Sequence, residues 1–222
     1  MSMKLEYKNK LVMIGDSITD CGRAHPVGEG LFEALGKGYV SLVDGLVSAV
    51  YPELNLRVVN MGSSGNTIRD LKGRWETDVL KLQPDWLSIL IGINDVWRQF
   101  DTPHIRENHV YIDEYEQTLS ELVAATRPHV RGIVLMSPFY LETNKSDPMR
   151  ATMDLYGQAV KRVAEANDCL FVDIQAEFDD LLRHLYPATL AWDRVHPNTT
   201  GHMRIARAFL NSVGFSWAGQ GE

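Results

Sequence analysis

Short apolar runs recur along the chain, each followed by a longer stretch in which apolar residues return at helical spacing. Leu11-Val12-Met13-Ile14 carries no polar interruption and predicts a buried strand. Val40, Val43, Val47 and Val50 follow at helical spacing and predict a helix that stops near Pro52. Four further strands are predicted at 56–60, 86–91, 132–136 and 169–173. The strand at 86–91 is almost wholly apolar. Helices are predicted between and after them at 67–82, 111–126, 149–166, 176–185 and 199–213. In the 111–126 segment Leu119, Leu122 and Val123 share one face. Strands without a polar face, alternating with helices, predict an α/β fold whose parallel sheet is covered on both sides. Five such strands fit a three-layer α/β/α sandwich around a flavodoxin-like five-stranded parallel sheet.

In that architecture chemistry collects at the C-terminal ends of the strands. Candidate residues follow three of them: Ser17, then Gly62 and Gly65, then Asn94. The segments 96–110 and 138–148 read as loops longer than the usual connection, and are candidates for the rim of a pocket. No repeat, linker or low-complexity tract interrupts the pattern.

Composition narrows the class. The 222 residues are 45% hydrophobic and 23% charged, as expected of one globular domain spanning 1–222. A net charge of -7 argues against nucleic acid or an anionic membrane as partner. Cys21 and Cys169 are the two cysteines; they match no metal spacing and suggest no disulfide framework. The first eight residues lack an apolar signal core, and no apolar stretch approaches the ~20 residues of a membrane span. The expectation is a cytoplasmic protein.

Four short strings carry the candidate chemistry. Gly15-Asp16-Ser17 ends the first strand. A serine in a strand–helix turn is ordinarily a cap, and the string differs from the Gly-x-Ser-x-Gly elbow of α/β-hydrolases. Asp193-Arg194-Val195-His196 lies near the other end. One turn of chain can set the carboxylate against imidazole Nδ1–H and leave Nε2 for a serine. A helix-start turn, with Asn198 or Thr199 as cap, explains the same string structurally. The loop from Asn60 to Thr67 exposes backbone N–H groups that suit an oxyanion, though a plain tight turn would look alike. It has neither the lysine of a P-loop nor a dinucleotide fingerprint. Gly92-Ile93-Asn94-Asp95 offers an amide donor at a strand mouth, or an Asn-Asp turn.

Singly weak, the four occur together and in order, and with them the chain resembles the SGNH hydrolases, also called the GDSL esterase/lipase family. Gly15-Asp16-Ser17, Asn60 through Gly65, Gly92-x-Asn94-Asp95 and Asp193-x-x-His196-Pro197 match its four blocks. Ile18 stands where many members carry leucine. The resemblance implies a Ser17, His196 and Asp193 triad, with an oxyanion hole from the Ser17 and Gly65 backbone N–H groups and the Asn94 side chain. No metal or cofactor is expected. Asp16 and Asp20 are expected to accept loop hydrogen bonds rather than take part in catalysis. The stretches 15–23, 91–98 and 190–197 resemble more narrowly the intracellular acetylxylan esterases of xylan-degrading bacilli. That branch implies deacetylation of xylo-oligosaccharides through an acetyl-enzyme, and a homo-oligomer in the form of an octamer. Trp97, Arg98 and Trp192 adjoin the matched positions and are candidate sugar contacts, although tryptophan equally fills cores and interfaces.

Other readings remain. Short-chain carboxylesterases and lysophospholipases share the blocks. Asp16, Asp20, Asn94, Asp95 and His196 could instead ligate the metal of a phosphoesterase, but no Asp-x-His string supports it. A non-catalytic carbohydrate-binding module on the same fold is a third class.

Overall fold

A computed structural model describes residues 2–218. β1 (Lys10–Gly15) forms on the first apolar run, and Leu11 through Ile14 are fully shielded from solvent. A strand covered on both faces has no polar side to present, which is why its sequence does not alternate. Each such side chain contributes about 1.5–3 kcal/mol by leaving water. The chain continues through the single turn α1 (Ser17–Asp20), α2 (Tyr39–Val50), β2 (Arg57–Gly62), α3 (Ile68–Trp75), β3 (Trp86–Leu90), α4 (Ile93–Asp101) and α5 (Ile112–Thr126). It ends with β4 (Gly132–Met136), α6 (Pro148–Ala166), β5 (Leu170–Val172), α7 (Ile174–Leu181), α8 (Pro187–Leu190) and α9 (Thr199–Ser212).

The five strands pair in the order β2-β1-β3-β4-β5, all parallel. α2 packs on α9, which also meets α7; α5 packs on both α3 and α6, and α4 on α6. These two groups of helices sandwich the sheet as the apolar pattern predicts. From β1 the chain steps outward to β2, then returns across β1 to β3. That reversal opens a crevice at the strand ends. The register fixes its contents, because Gly15 lies opposite both Gly62 and Leu90. The loops after β1, β2 and β3 therefore emerge side by side.

Three segments differ from the sequence reading. The first part of the expected 96–110 loop is α4, whose buried Ile93 and Val96 recur at helical spacing among polar neighbours that mask the pattern. The helix expected over 67–82 runs as α3 and then widens into a π-helical turn, Glu76–Leu80. A third long connection, 21–38, joins α1 to α2 and pairs with β2 through reciprocal Gly28–Asn60 backbone hydrogen bonds of 3.1 and 2.7 Å. It leaves Phe32 97% exposed. The last helix starts as its polar residues suggest, with Asn198 Oδ1 accepting from the Thr200 and Gly201 N–H groups.

Candidate active site

β1 delivers Ser17 to the crevice by an abrupt turn. A Cβ on Gly15 would lie 2.2 Å from the Leu90 carbonyl oxygen and 2.3 Å from Thr19 Oγ1, so only glycine lets the strand end so close to its neighbours. Asp16 then caps α1, its Oδ1 accepting from the Ile18 N–H at 3.0 Å. Ser17 is the first residue of α1, where backbone N–H groups have no partner inside the helix.

The carboxylate and imidazole arrive on the turn between α8 and α9. Asp193 Oδ1 accepts two backbone N–H groups, from Val195 at 2.9 Å and His196 at 2.8 Å. Buried Val195 anchors the turn, and Arg194 adopts the left-handed backbone region at φ 63°. The other carboxylate oxygen lies 2.5 Å from His196 Nδ1. Partial burial would raise the Asp193 pKa. The hydrogen bonds from His196 and from the two backbone N–H groups outweigh it and hold the carboxyl below its ordinary range. An ionised Asp193 keeps the proton on Nδ1 and leaves the Nε2 lone pair facing Ser17. Ser17 Oγ lies 2.8 Å from Nε2, so the serine hydroxyl donates to the imidazole.

The remaining sides of the crevice come from the loops after β2 and β3. Gly65 sits exposed at φ +82°, a conformation glycine adopts without strain. Asn94, buried in the first turn of α4, donates from Nδ2 to the Asn66 carbonyl at 2.9 Å. A second Nδ2 hydrogen remains. Arg98 Nη2 donates to Asn94 Oδ1 at 3.3 Å, which orients the amide with its nitrogen toward the loop. Trp97 meets the His196 ring edge-on, 6.0 Å between centroids, and Arg98 lies over the Trp97 ring at 4.8 Å. Trp97 and Arg98 thus line the crevice. Trp192, proposed from its sequence position beside Asp193, stands 91% exposed. It borders a separate groove of about 680 Å³ with Tyr186, Glu142 and Arg194.

The acidic residues that suggested a metal have other work. Asp20 Oδ1 accepts from Gly22 and Arg23, and Oδ2 from the backbone and hydroxyl of Ser64. Asp95 Oδ1 accepts from the Ile68 N–H at 2.9 Å, where α3 begins. Burial pushes Asp16 up to about 7 and Asp95 up to about 8, disfavouring the ionised ligands a cation needs. Two buttressing arginines carried no signal in the sequence. Arg23 Nε donates to the Gly62 carbonyl at 2.6 Å, and Arg74 reaches the loop from α3. Most of their partners are backbone carbonyls brought close only by folding, though Arg74 also meets the Asn66 side chain and Asp78.

A profile described as the GDSL-like lipase/acylhydrolase family matches residues 13–204. An acetylxylan esterase of Geobacillus stearothermophilus is 64% identical over 215 residues, covering 97% of this chain and 98% of the relative. A crystal structure of an acetylxylan esterase from the same organism superposes with a TM-score of 0.97 at 62% identity, covering 99% of this chain and 100% of that one. Catalytic mutants of that enzyme replace a serine, an aspartate and a histidine, each numbered two below Ser17, Asp193 and His196. An α/β hydrolase from the metagenome of Lake Arreo, Spain, has a TM-score of 0.95 at 53% identity, with 99% and 100% covered. Matched by the family profile over most of its length, the chain belongs to the GDSL-like lipase/acylhydrolase family.

Proposed function

We propose that the protein is a one-domain serine esterase that removes acetyl groups from acetylated xylo-oligosaccharides. The observation that carries this reading is the chain of contacts from Asp193 through His196 to Ser17, 2.5 and 2.8 Å, at the crevice of the sheet. The identity to the acetylxylan esterase supports the substrate class, and the numbering of that enzyme's catalytic mutants supports the triad.

Ser17 Oγ attacks the ester carbonyl carbon as His196 Nε2 takes the hydroxyl proton. Asp193 holds the ring and stabilises the imidazolium. The negative charge developing on the carbonyl oxygen is met by the Ser17 and Gly65 N–H groups and the free Asn94 Nδ2 hydrogen. The bond from carbonyl carbon to sugar oxygen breaks, and His196 returns its proton to that oxygen. Water then attacks the acetyl-Ser17 ester with His196 again as base, releasing acetate. Trp97 supplies an apolar face and Arg98 a donor for the sugar bearing the ester. Trp192 lies beyond the reacting atoms and would meet only a longer chain.

Acetate release from acetylated xylobiose, compared with hydrolysis of aryl acetate and aryl octanoate, tests the substrate. Acetyl esters should be turned over much faster; preference for octanoate would instead favour a lipase or lysophospholipase. We further propose a homo-oligomer, the octamer and the cytoplasmic location being what resemblance to the intracellular enzymes implies. Phe32 and Trp192, 97% and 91% exposed, are large apolar side chains available to such an interface.

A further inference from the structure

We infer that Arg74 is a positioning residue for the reaction, holding the Gly65 N–H where the oxyanion forms. The inference rests on the triad and oxyanion assignments above. Gly65 is exposed and flanked by open space, so no side chain fixes its N–H directly, and its backbone is set only by the turn that the Asn66 N–H closes on the Ser63 carbonyl at 3.2 Å. Its two neighbours are fixed instead. Ser64 is held on one side by Asp20 Oδ2, which accepts the backbone N–H at 3.1 Å and the hydroxyl at 2.9 Å. Asn66 is held on the other side by side chains at two atoms besides that turn: its carbonyl by Asn94 at 2.9 Å, and its side-chain oxygen by Arg74 Nε at 2.7 Å.

Arg74 does more than grip Asn66. Nη2 donates to the Gly15 carbonyl at 2.9 Å, and Nη1 to the Met61 carbonyl at 2.7 Å. Gly15 is two residues before Ser17, and its carbonyl also accepts the Ser63 N–H at 3.0 Å. One guanidinium, 17% exposed and neutralised by Asp78 at 2.8 Å, thus joins the end of the nucleophile strand, the end of β2 and the oxyanion loop. A planar fork holds its donors on three separated nitrogens that reach three distant acceptors at once, whereas lysine gathers all of its donors on one nitrogen. Oxyanion donors act only within about 2.7–3.1 Å of the developing charge, and a misplacement of about 1 Å can lower the rate about 100-fold. Arg74 touches no reacting atom, so its loss should change turnover through geometry rather than substrate affinity.

The test measures kcat and KM on an aryl acetate for Arg74→Met, Arg74→Lys, Asn66→Ala and Arg74→Met/Asn66→Ala, each with its thermal transition recorded. Folded Arg74→Met and Arg74→Lys should lose about 10- to 100-fold in kcat with KM within about twofold. Affinity for a boronic acid that forms a tetrahedral adduct with serine should weaken in parallel with kcat. The double variant should be scarcely worse than Arg74→Met, because both remove one contact. Asp78→Asn, which leaves every loop contact in place, should retain activity within about twofold. If Arg74→Met does not fold, Asn66→Ala carries the test, since it spares the contacts to Gly15 and Met61. Unchanged kcat in folded variants, or a rise in KM that accounts for the loss, would overturn the inference. Ser17→Ala separates the two levels: if it is inactive while the Arg74 variants are normal, only the positioning role fails; if it is active, the triad assignment fails first.

Discussion

Asp193 uses both carboxylate oxygens, one to shape its own turn and one to orient the imidazole. This economy explains why the proposed triad's acid and base are readable as a four-residue string: the geometry is local and needs only one turn of chain. Ser17 is readable for a similar reason, since Gly15 must precede it at a crowded strand end. Asn94 is harder, because Asn-Asp strings also make ordinary turns; its orientation depends on Asn66 arriving from the loop after β2 as well as on Arg98 one turn along α4. The buttressing roles of Arg23 and Arg74 are not legible, as the acceptors that matter are mostly backbone carbonyls no side-chain pattern records; the readable Arg74–Asp78 i,i+4 pair says nothing of the loop. Trp192 differs from Trp97 in its surroundings. Adjacency to Asp193 in sequence makes it a candidate sugar contact, and in the structure it stands exposed beside a groove lined by Tyr186 and Arg194. Asn94→Ala should lower kcat about 10²- to 10³-fold with little change in KM, since one oxyanion donor is removed and no ground-state contact. Steady-state kinetics on an aryl acetate checks it, and an unchanged kcat would remove Asn94 from the oxyanion hole.

Among the elements, strands were the most legible, because burial on both faces leaves only apolar residues for them to use. The α4 helix was missed because its buried face is narrow and includes Asn94 and Asp95, polar residues retained for what they hold. The contact of α2 with α9 carries a titratable group. His202 of α9 accepts the Tyr39 N–H on Nδ1 at 3.1 Å, so its proton sits on Nε2, 3.6 Å from Cys21 Sγ. Burial, with a smaller effect of His196, lowers His202 from its ordinary 6.5 to about 4. The unfolded chain therefore binds the extra proton between those values. Stability from neutral His202 is complete above pH 6.5 and is lost as pH falls through about 4. Melting temperatures measured over this window should fall less steeply in His202→Gln than in the parent protein. Parallel falls would show that His202 is not the group responsible.

Across the whole molecule, the strand order turns distant segments into one site. Residues 17 and 196 meet because β1 lies central in the sheet and α9 packs against α2 beside it. The number of strands and their alternation with helices were readable from the apolar pattern, and the position of the crevice followed from the rule for such sheets. The sheet order β2-β1-β3-β4-β5 is that of the flavodoxin-like fold the strand count suggests. The assembly belongs to this scale too: sedimentation velocity should return a homo-oligomer, and a monomer at micromolar concentration would contradict the proposed association. The central claim is that this crevice makes Ser17 a nucleophile toward acetyl esters. The most direct measurement is acetate release from acetylated xylobiose by Ser17→Ala, beside the parent protein and with the fold verified by its thermal transition. The triad predicts a loss of several orders of magnitude in turnover with the fold intact. Acetate release at the parent rate from the folded variant would contradict it.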